Sequence, residues 1–142
     1  MNKTGAPTAD LSRVFQRHHV SFAYLFGSKA KGLSHARSDR DIAVHFDSRV
    51  KPKDRLQKRL KLWGGLSDLW PGETIDLVVL EEAPLLLRFN AVRDGQLLYC
   101  ASDKERIWFE VPTMKEYFDR QYYVERGAQS ALKRFAQRGL RD

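Results

Sequence analysis

The sequence predicts a small mixed α/β domain, in which a short sheet is surrounded by helices. Short runs rich in β-branched and aromatic residues, which are typical of buried strands, alternate with stretches whose apolar residues recur at helical spacing. At 142 residues, the chain is long enough to bury one hydrophobic core without disulfide or metal crosslinks.

Four strands are predicted, at residues 20–26, 39–46, 74–80 and 96–100. Helices are predicted at residues 10–18 and 54–69, and between Pro84 and Gly95, because proline suits the first turn of a helix and glycine its end. Two further helices are expected after Cys100, since Pro112 does not suit a helix interior. Each of these two helices begins with a capping-box pattern, first Ser102 with Glu105 and then Thr113 with Glu116.

The predicted helix at 54–69 has apolar residues at helical spacing, and we expect them to form its buried face. These residues are Leu56, Leu60, Trp63 and Leu66. We also expect the three tryptophans, Trp63, Trp70 and Trp108, to lie in the core. Residues 49–63 contain seven basic residues and one acid. This composition indicates either a solvated basic face or a surface that binds RNA or an acidic partner.

The composition favours anionic partners without choosing among them. The net charge is +7 and the isoelectric point is about 9.7, which suits nucleotides, nucleic acid or an acidic protein. Cys100 has no second cysteine to pair with. No apolar run has the length of a signal peptide or of a bilayer-spanning helix, so we expect a cytoplasmic protein with no membrane partner.

Three aspartates on predicted strands indicate a magnesium site. Asp39 and Asp41 are two residues apart in a strand, so their side chains project to the same side, opposite Ile42. Two carboxylates held this close repel each other unless a cation lies between them, and Mg²⁺ prefers hard oxygen ligands and substrate phosphates. Asp76 interrupts an otherwise apolar strand. If that strand lies beside the strand of Asp41, the three carboxylates can hold two Mg²⁺ ions.

A Gly-Ser pair at the end of the first strand predicts a phosphate site. Gly27 lets a phosphate approach the backbone N–H groups, and the Ser28 hydroxyl can donate to a phosphate oxygen. Lys29 or Lys31 would add positive charge. We therefore predict Gly27, Ser28 and Lys29 as nucleotide-binding residues.

The stretch GSKAKGLSHARSDRD, residues 27–41, resembles the signature of the DNA polymerase beta-like nucleotidyltransferases, in which ten residues separate Gly-Ser from Asp-x-Asp. It is most similar to their minimal members, the MNT-type antitoxins that pair with HEPN-domain toxins. The likeness extends through Asp76 to the segment RDGQLLYC and, more weakly, into the last helices. Arg40 departs from the pattern, because an apolar residue is common there; its side chain should point away from the metals.

The resemblance implies an α/β (α+β) fold, with a small mixed sheet, helices packed on one face and the active site on the other, followed by C-terminal helices. It implies a single minimal domain, with the catalytic core at about residues 1–100 and the C-terminal helices at 101–142. Gly27 and Ser28 would hold the phosphates, and Asp39 and Asp41 would bind both metals. Asp76 would bind the catalytic metal and help to deprotonate the acceptor.

For the antitoxin branch, the resemblance implies a Mg²⁺-dependent transfer of one or more AMP units from ATP to a tyrosine of the partner HEPN ribonuclease toxin. This modification would block RNA cleavage by the toxin. The short stretch after Cys100 fits an acceptor that the partner supplies. Two alternatives stay open: a nucleotidyltransferase that acts on RNA or a small hydroxylated molecule, and a non-catalytic antitoxin that inhibits by binding.

Overall fold

The computed structural model describes residues 8–26 and 40–139. The strands are β1 (Val20–Phe26), β2 (Arg40–Phe46), β3 (Ile75–Val79) and β4 (Gln96–Cys100). The helices are α1 (Thr8–Arg17), α2 (Arg55–Leu69), α3 (Leu85–Asp94) and α4 (Asp103–Gly139), and short 3₁₀ turns at Pro52–Asp54 and Leu80–Glu82 precede α2 and α3. No helix in the described part of the chain is both long and apolar enough to cross a membrane.

The four strands form one sheet in the order β3-β2-β1-β4. β1 is antiparallel to both β2 and β4, whereas β2 and β3 are parallel. A parallel pair requires a crossover connection, and α2 supplies it. The predicted mixed sheet is therefore confirmed. Wherever the predicted bounds fall within the described residues, the four strands and the helices α1, α2 and α3 begin and end within two residues of them.

Each face of the sheet is covered by a different set of helices. On one face, α1 and α2 pack against the strands in the larger core cluster, which includes Phe15, Ile42, Leu62, Leu66 and Leu77. Helices α1 and α2 therefore form the layer of helices that was predicted on one face of the sheet. On the opposite face, α3 and the first turns of α4 contribute to a second cluster, which includes Phe22, Tyr24, Ala43, Ala91 and Phe109.

The predicted buried face of α2 is wrong for three of its four residues. Leu66 is buried, but Leu56 and Leu60 are 63% and 59% exposed, Trp63 is exposed as well, and Leu62 is buried in their place. Helix α2 is thus rotated about its axis relative to the prediction. The structure gives a reason, because β3 is an edge strand whose outer backbone carbonyls need hydrogen-bond donors. The Trp63 Nε1–H donates to the Ile75 carbonyl at 3.1 Å, and Arg59 Nε–H donates to the Leu77 carbonyl at 2.9 Å. Of the other two tryptophans expected in the core, Trp70 is buried and Trp108 is exposed.

The prediction of two helices after Cys100 is also wrong, because α4 continues through Pro112. A proline inside a helix costs about 3 kcal/mol. Contacts on both sides of Pro112 offset that cost: Phe109 packs on Phe22 at 5.5 Å, and Tyr117 stacks on Phe89 at 3.7 Å, both between ring centroids. Thr113, predicted as a helix cap, is instead a buried residue inside α4.

The first predicted cap of α4 is confirmed in one of its two bonds. The Ser102 hydroxyl accepts a hydrogen bond from the Glu105 N–H at 3.2 Å. The Glu105 carboxylate does not return a bond to Ser102; it accepts one from the Ser21 hydroxyl of β1. The start of α4 is therefore attached to the sheet as well as capped.

Arg40 anchors the start of β2 on the face opposite Asp41. Its side chain is only 8% exposed. The guanidinium pairs with the Glu73 carboxylate, with Nη2 3.3 Å from Oε1, and lies 4.6 Å from the centre of the Trp70 ring. The Arg40 N–H donates to the Thr74 carbonyl at 2.9 Å. These contacts attach the beginning of β2 to the residues that lead into β3. They also show what surrounds the side chain of Arg40, the residue that departs from the pattern common in the similar family.

We expect Arg40→Leu to lower the free energy of unfolding by about 2 kcal/mol, because a largely buried carboxylate loses its cation. Urea denaturation measures this change. The double variant with Glu73→Leu should lose less than the sum of the two single variants. Arg13→Leu is the matched control, because the Arg13–Asp10 pair is exposed and its loss should change stability by less than about 0.5 kcal/mol. Equal effects at Arg40 and Arg13 would contradict the anchoring role.

Candidate active site

Two of the three predicted aspartates are direct neighbours in the sheet. Asp41 of β2 and Asp76 of β3 are register partners in the parallel pair, and adjacent strands lie about 4.8 Å apart. Partners in register project to the same face, so the two carboxylates are side by side. The predicted proximity of Asp41 and Asp76 is confirmed.

The core determines which way the two carboxylates point. Ile42, Ile75 and Leu77, the strand residues that flank Asp41 and Asp76, are all buried in the cluster beneath α1 and α2. Because side chains alternate along a strand, the aspartates project to the other face. Asp76 is exposed on the edge strand, and Asp41, one strand further in, is half-buried. The pair is thus open to solvent from the side of β3.

The other predicted site residues lie outside the described part of the chain. These are Gly27, Ser28, Lys29 and Asp39. The last described residue before them, Phe26, is the register partner of Asp41, and the chain resumes at Arg40, the neighbour of Asp41 in β2. The roles of these four residues stay predictions.

The described residues supply oxygen ligands but no complete metal centre. Within residues 8–26 and 40–139, no group of three or more His, Cys, Asp or Glu side chains is arranged to hold a metal ion. Asp41 and Asp76 provide two carboxylates in adjacent positions, and hard oxygen donors of this kind suit Mg²⁺. The predicted third ligand, Asp39, is among the residues outside the described part. The donor set that is described fits the predicted metal.

Arg59 is a candidate functional residue that the sequence did not single out. It lines two cavities together with Asp76, one of about 260 Å³ and one of about 310 Å³. Its hydrogen bond to the Leu77 carbonyl holds it along the outer edge of β3. The signal available in the sequence was the basic composition of residues 49–63, which did not distinguish Arg59 from its neighbours. In the structure, Arg59 shares these two cavities with Asp76.

A hydrogen-bonded network near the site attaches α4 to β1. The Tyr24 hydroxyl donates to the Glu110 carboxylate, and Arg106 donates to both oxygens of that carboxylate at 3.1 and 3.0 Å. Burial and the Glu110 carboxylate raise the pKa of Tyr24 well above its usual range. Tyr24 therefore stays a neutral phenol engaged in a structural contact, although it lies on the same face as Asp41.

Solved structures share the fold over most of the chain. A toxin–antitoxin structure with AMP-PNP is 24% identical, with a TM-score of 0.65, and the alignment covers 88% of this chain and 98% of the other. The toxin–antitoxin MntA-HepT structure is 22% identical with a TM-score of 0.58, covering 88% and 96%. A rebuilt and re-refined structure of the tri-AMPylated Shewanella oneidensis HEPN toxin in complex with its MNT antitoxin is 22% identical with a TM-score of 0.59, covering 88% and 95%.

The sequence itself matches one protein family. No curated protein sequence is significantly similar to the chain. Residues 9–104 match the profile of the family described as polymerase beta, nucleotidyltransferase. This match spans more than half of the 142 residues, including both Asp41 and Asp76 and all four strands. The chain therefore belongs to the polymerase beta nucleotidyltransferase family.

Proposed function

We propose that the protein is a Mg²⁺-dependent antitoxin that transfers AMP from ATP to a tyrosine hydroxyl of a HEPN toxin and so neutralises the toxin. The observation that carries the proposal is the register pairing of Asp41 with Asp76 at one edge of the sheet. Membership of the nucleotidyltransferase family supports the reaction class. Similarity to a structure with AMP-PNP supports ATP, and similarity to an MNT antitoxin bound to a tri-AMPylated HEPN toxin supports the acceptor.

In the proposed reaction, the tyrosine oxygen attacks the α-phosphorus of ATP, the bond from this phosphorus to the bridging oxygen breaks, and pyrophosphate leaves. Asp39, Asp41 and Asp76 would hold Mg²⁺. The bound metal would neutralise phosphate charge and lower the pKa of the attacking hydroxyl. Asp76, exposed on the edge strand, can accept the proton of the tyrosine hydroxyl.

The geometry suits an acceptor that arrives from outside the molecule. Asp76 lies on the edge strand and two open cavities flank it, so a hydroxyl from a partner can reach its carboxylate. Arg59, on the outer side of the same strand, can bind a phosphate oxygen through a charge-assisted hydrogen bond. The contribution of the protein is mainly to position the reactants and offset their charge, as is usual in phosphoryl transfer.

An RNA 3′ hydroxyl is the second candidate acceptor, and a specific observation favours it. The exposed side of α2 carries basic residues together with Leu60 and Trp63, and both of these apolar residues line a cavity with Asp76. Aromatic side chains beside basic groups are typical of surfaces that bind single-stranded nucleic acid. In this alternative, α2 would guide an RNA end to the acidic pair.

We expect Asp41→Asn and Asp76→Asn each to lower AMP transfer by at least about 100-fold, because each removes a negative ligand from the metal site. Transfer is measured with α-labelled ATP, the purified cognate HEPN toxin and a separate RNA sample. Asp68→Asn is the control, since Asp68 is exposed on α2 and does not line the cavities beside Asp76. Full labelling of the toxin by either site variant would overturn the proposal, and labelling of RNA at comparable efficiency would favour the second acceptor.

We expect Arg59→Gln to lower the transfer rate about tenfold through loss of a charge-assisted bond to phosphate, with partial recovery in Arg59→Lys. Steady-state kinetics over a range of ATP concentrations measures the effect. The matched control is Lys61→Gln, two positions along the same helix and also exposed. If the Lys61 variant loses as much activity as the Arg59 variant, the loss is due to the overall charge of α2 and not to a specific contact of Arg59 with phosphate.

We expect the Asp41→Asn and Asp76→Asn variants to leave cells unprotected when the toxin is expressed, because an unmodified toxin stays active. Growth of cells that co-express toxin and antitoxin measures protection, and co-purification of the two proteins checks that the complex still forms. If the variants protect as well as the unaltered protein, inhibition occurs by binding alone and catalysis is not required.

A further inference from the structure

The sheet carries a second concave site at the end opposite the acidic pair. A cavity of about 820 Å³ lies where β2 ends and α4 begins, within the size range of small-molecule sites. The residues of its lining that matter here are His45, Lys51, Arg55, Glu81, Lys104 and Trp108. None of these residues was a predicted site residue.

This cavity is separate from the acidic pair. His45 lies four residues after Asp41 on the same face of β2, which is about 13 Å along a strand. The intervening face is filled by the second core cluster, since Ala43 is buried there together with Phe22. The His45 ring stacks on Phe22 at 4.8 Å and meets Phe109 edge-on at 5.4 Å, both between ring centroids. These contacts close the inner end of the cavity toward the acidic pair.

Several buried polar atoms at this cavity have no hydrogen-bond partner. Five buried side-chain atoms among the described residues lack a hydrogen-bond partner. Three of them belong to residues that line this cavity: Nδ1 of His45, Nε of Arg55 and Oε1 of Glu81. Arg55 Nε lies 3.7 Å from Glu81 Oε2, which is longer than a hydrogen bond. Buried polar groups are nearly always paired, so the side chains behind this cavity have hydrogen-bonding capacity that the described residues do not use.

The charges that remain available at the cavity are positive. Of its acidic residues, Asp47 is bound by the Arg49 guanidinium at 2.7 Å, and Glu105 accepts the bond from Ser21. Glu81 accepts a hydrogen bond from the Phe46 N–H at 3.0 Å. The carboxylates of Glu81 and Glu82 lie 3.7 and 3.8 Å from the Arg55 guanidinium, so these acidic neighbours offset the charge of Arg55. Among the described residues, no acidic side chain pairs with Lys51 or Lys104. An anion is therefore the complementary ligand.

The rim of the cavity also offers a flat apolar surface. Trp108 is 71% exposed, and the Lys104 ammonium lies 5.2 Å from the centre of its ring. Phe46, Val50 and Pro52 line the same cavity. An indole in this position can stack on a planar ring while the neighbouring lysine contacts a phosphate. Anion-binding groups and a stacking surface together match the two parts of a nucleotide.

We propose that this cavity is a second nucleotide-binding site, with the phosphate held by Lys51 and Lys104 and the base stacked on Trp108. The site goes beyond the proposed AMP transfer and does not depend on it. The nucleotide could be a free mononucleotide or one unit of an RNA chain, because both present the same phosphate and base.

The test is isothermal titration of the full-length protein with AMP and with a single-stranded adenine oligoribonucleotide, both in EDTA. Without metal, the carboxylates of Asp41 and Asp76 repel phosphate, whereas the cavity does not need a metal. We expect one AMP site. Trp108→Ala and Lys104→Gln should each weaken AMP binding at least tenfold, while Lys53→Gln and Asp68→Asn, which alter exposed residues outside the cavity lining, leave it unchanged.

Trp108 and Lys104 are exposed, so these variants should fold normally, and thermal unfolding verifies this. Tighter binding of the oligonucleotide than of AMP identifies RNA as the source of the nucleotide, and equal or weaker binding identifies the free nucleotide. The proposal is overturned if neither ligand binds, if the Trp108 and Lys104 variants bind as the unaltered protein does, or if Lys53→Gln weakens binding as much as Lys104→Gln.

Discussion

The candidate active site depends on the parallel pairing of β2 with β3, because this pairing brings Asp41 next to Asp76. Side chains alternate along a strand, so a slip of one residue would turn one of the two carboxylates toward the opposite face. The register is maintained from three directions. Ile42 and Leu77 are buried under α1 and α2, Arg40 joins the start of β2 to Glu73 and Thr74, and Arg59 binds the outer edge of β3.

The position of β3 at the edge of the sheet has two consequences. An edge strand leaves Asp76 exposed, as the proposed transfer to a hydroxyl of a partner requires. The same edge presents backbone groups that invite pairing with other chains. Trp63 and Arg59 of α2 occupy two of its carbonyls, so the acidic pair stays accessible while the strand is protected. The exposed apolar residues of α2 follow from this arrangement.

The two ends of the sheet differ in electrostatic character. The end that begins β2 and β3 carries the acidic pair, whereas the end where β2 stops opens into the cavity with Lys51, Arg55 and Lys104. Core residues between them, among them Phe22 and Ala43, keep the two sites apart. With a net charge of +7, the whole protein attracts phosphate-bearing molecules. The acidic pair and the basic cavity thus lie at opposite ends of the same face of the sheet.

Local patterns in the sequence determined the strands, the alternation that separates Asp41 from Ile42, and the end of α3 at Gly95, because these depend only on neighbouring residues. Tertiary structure decided which strands pair, and hence that Asp41 meets Asp76. It also decided that Leu62 rather than Leu56 is buried, that α4 continues through Pro112, and that Arg40 pairs with Glu73. Each of these outcomes depends on contacts between residues far apart in the chain, and such contacts can outweigh a local preference of a few kcal/mol.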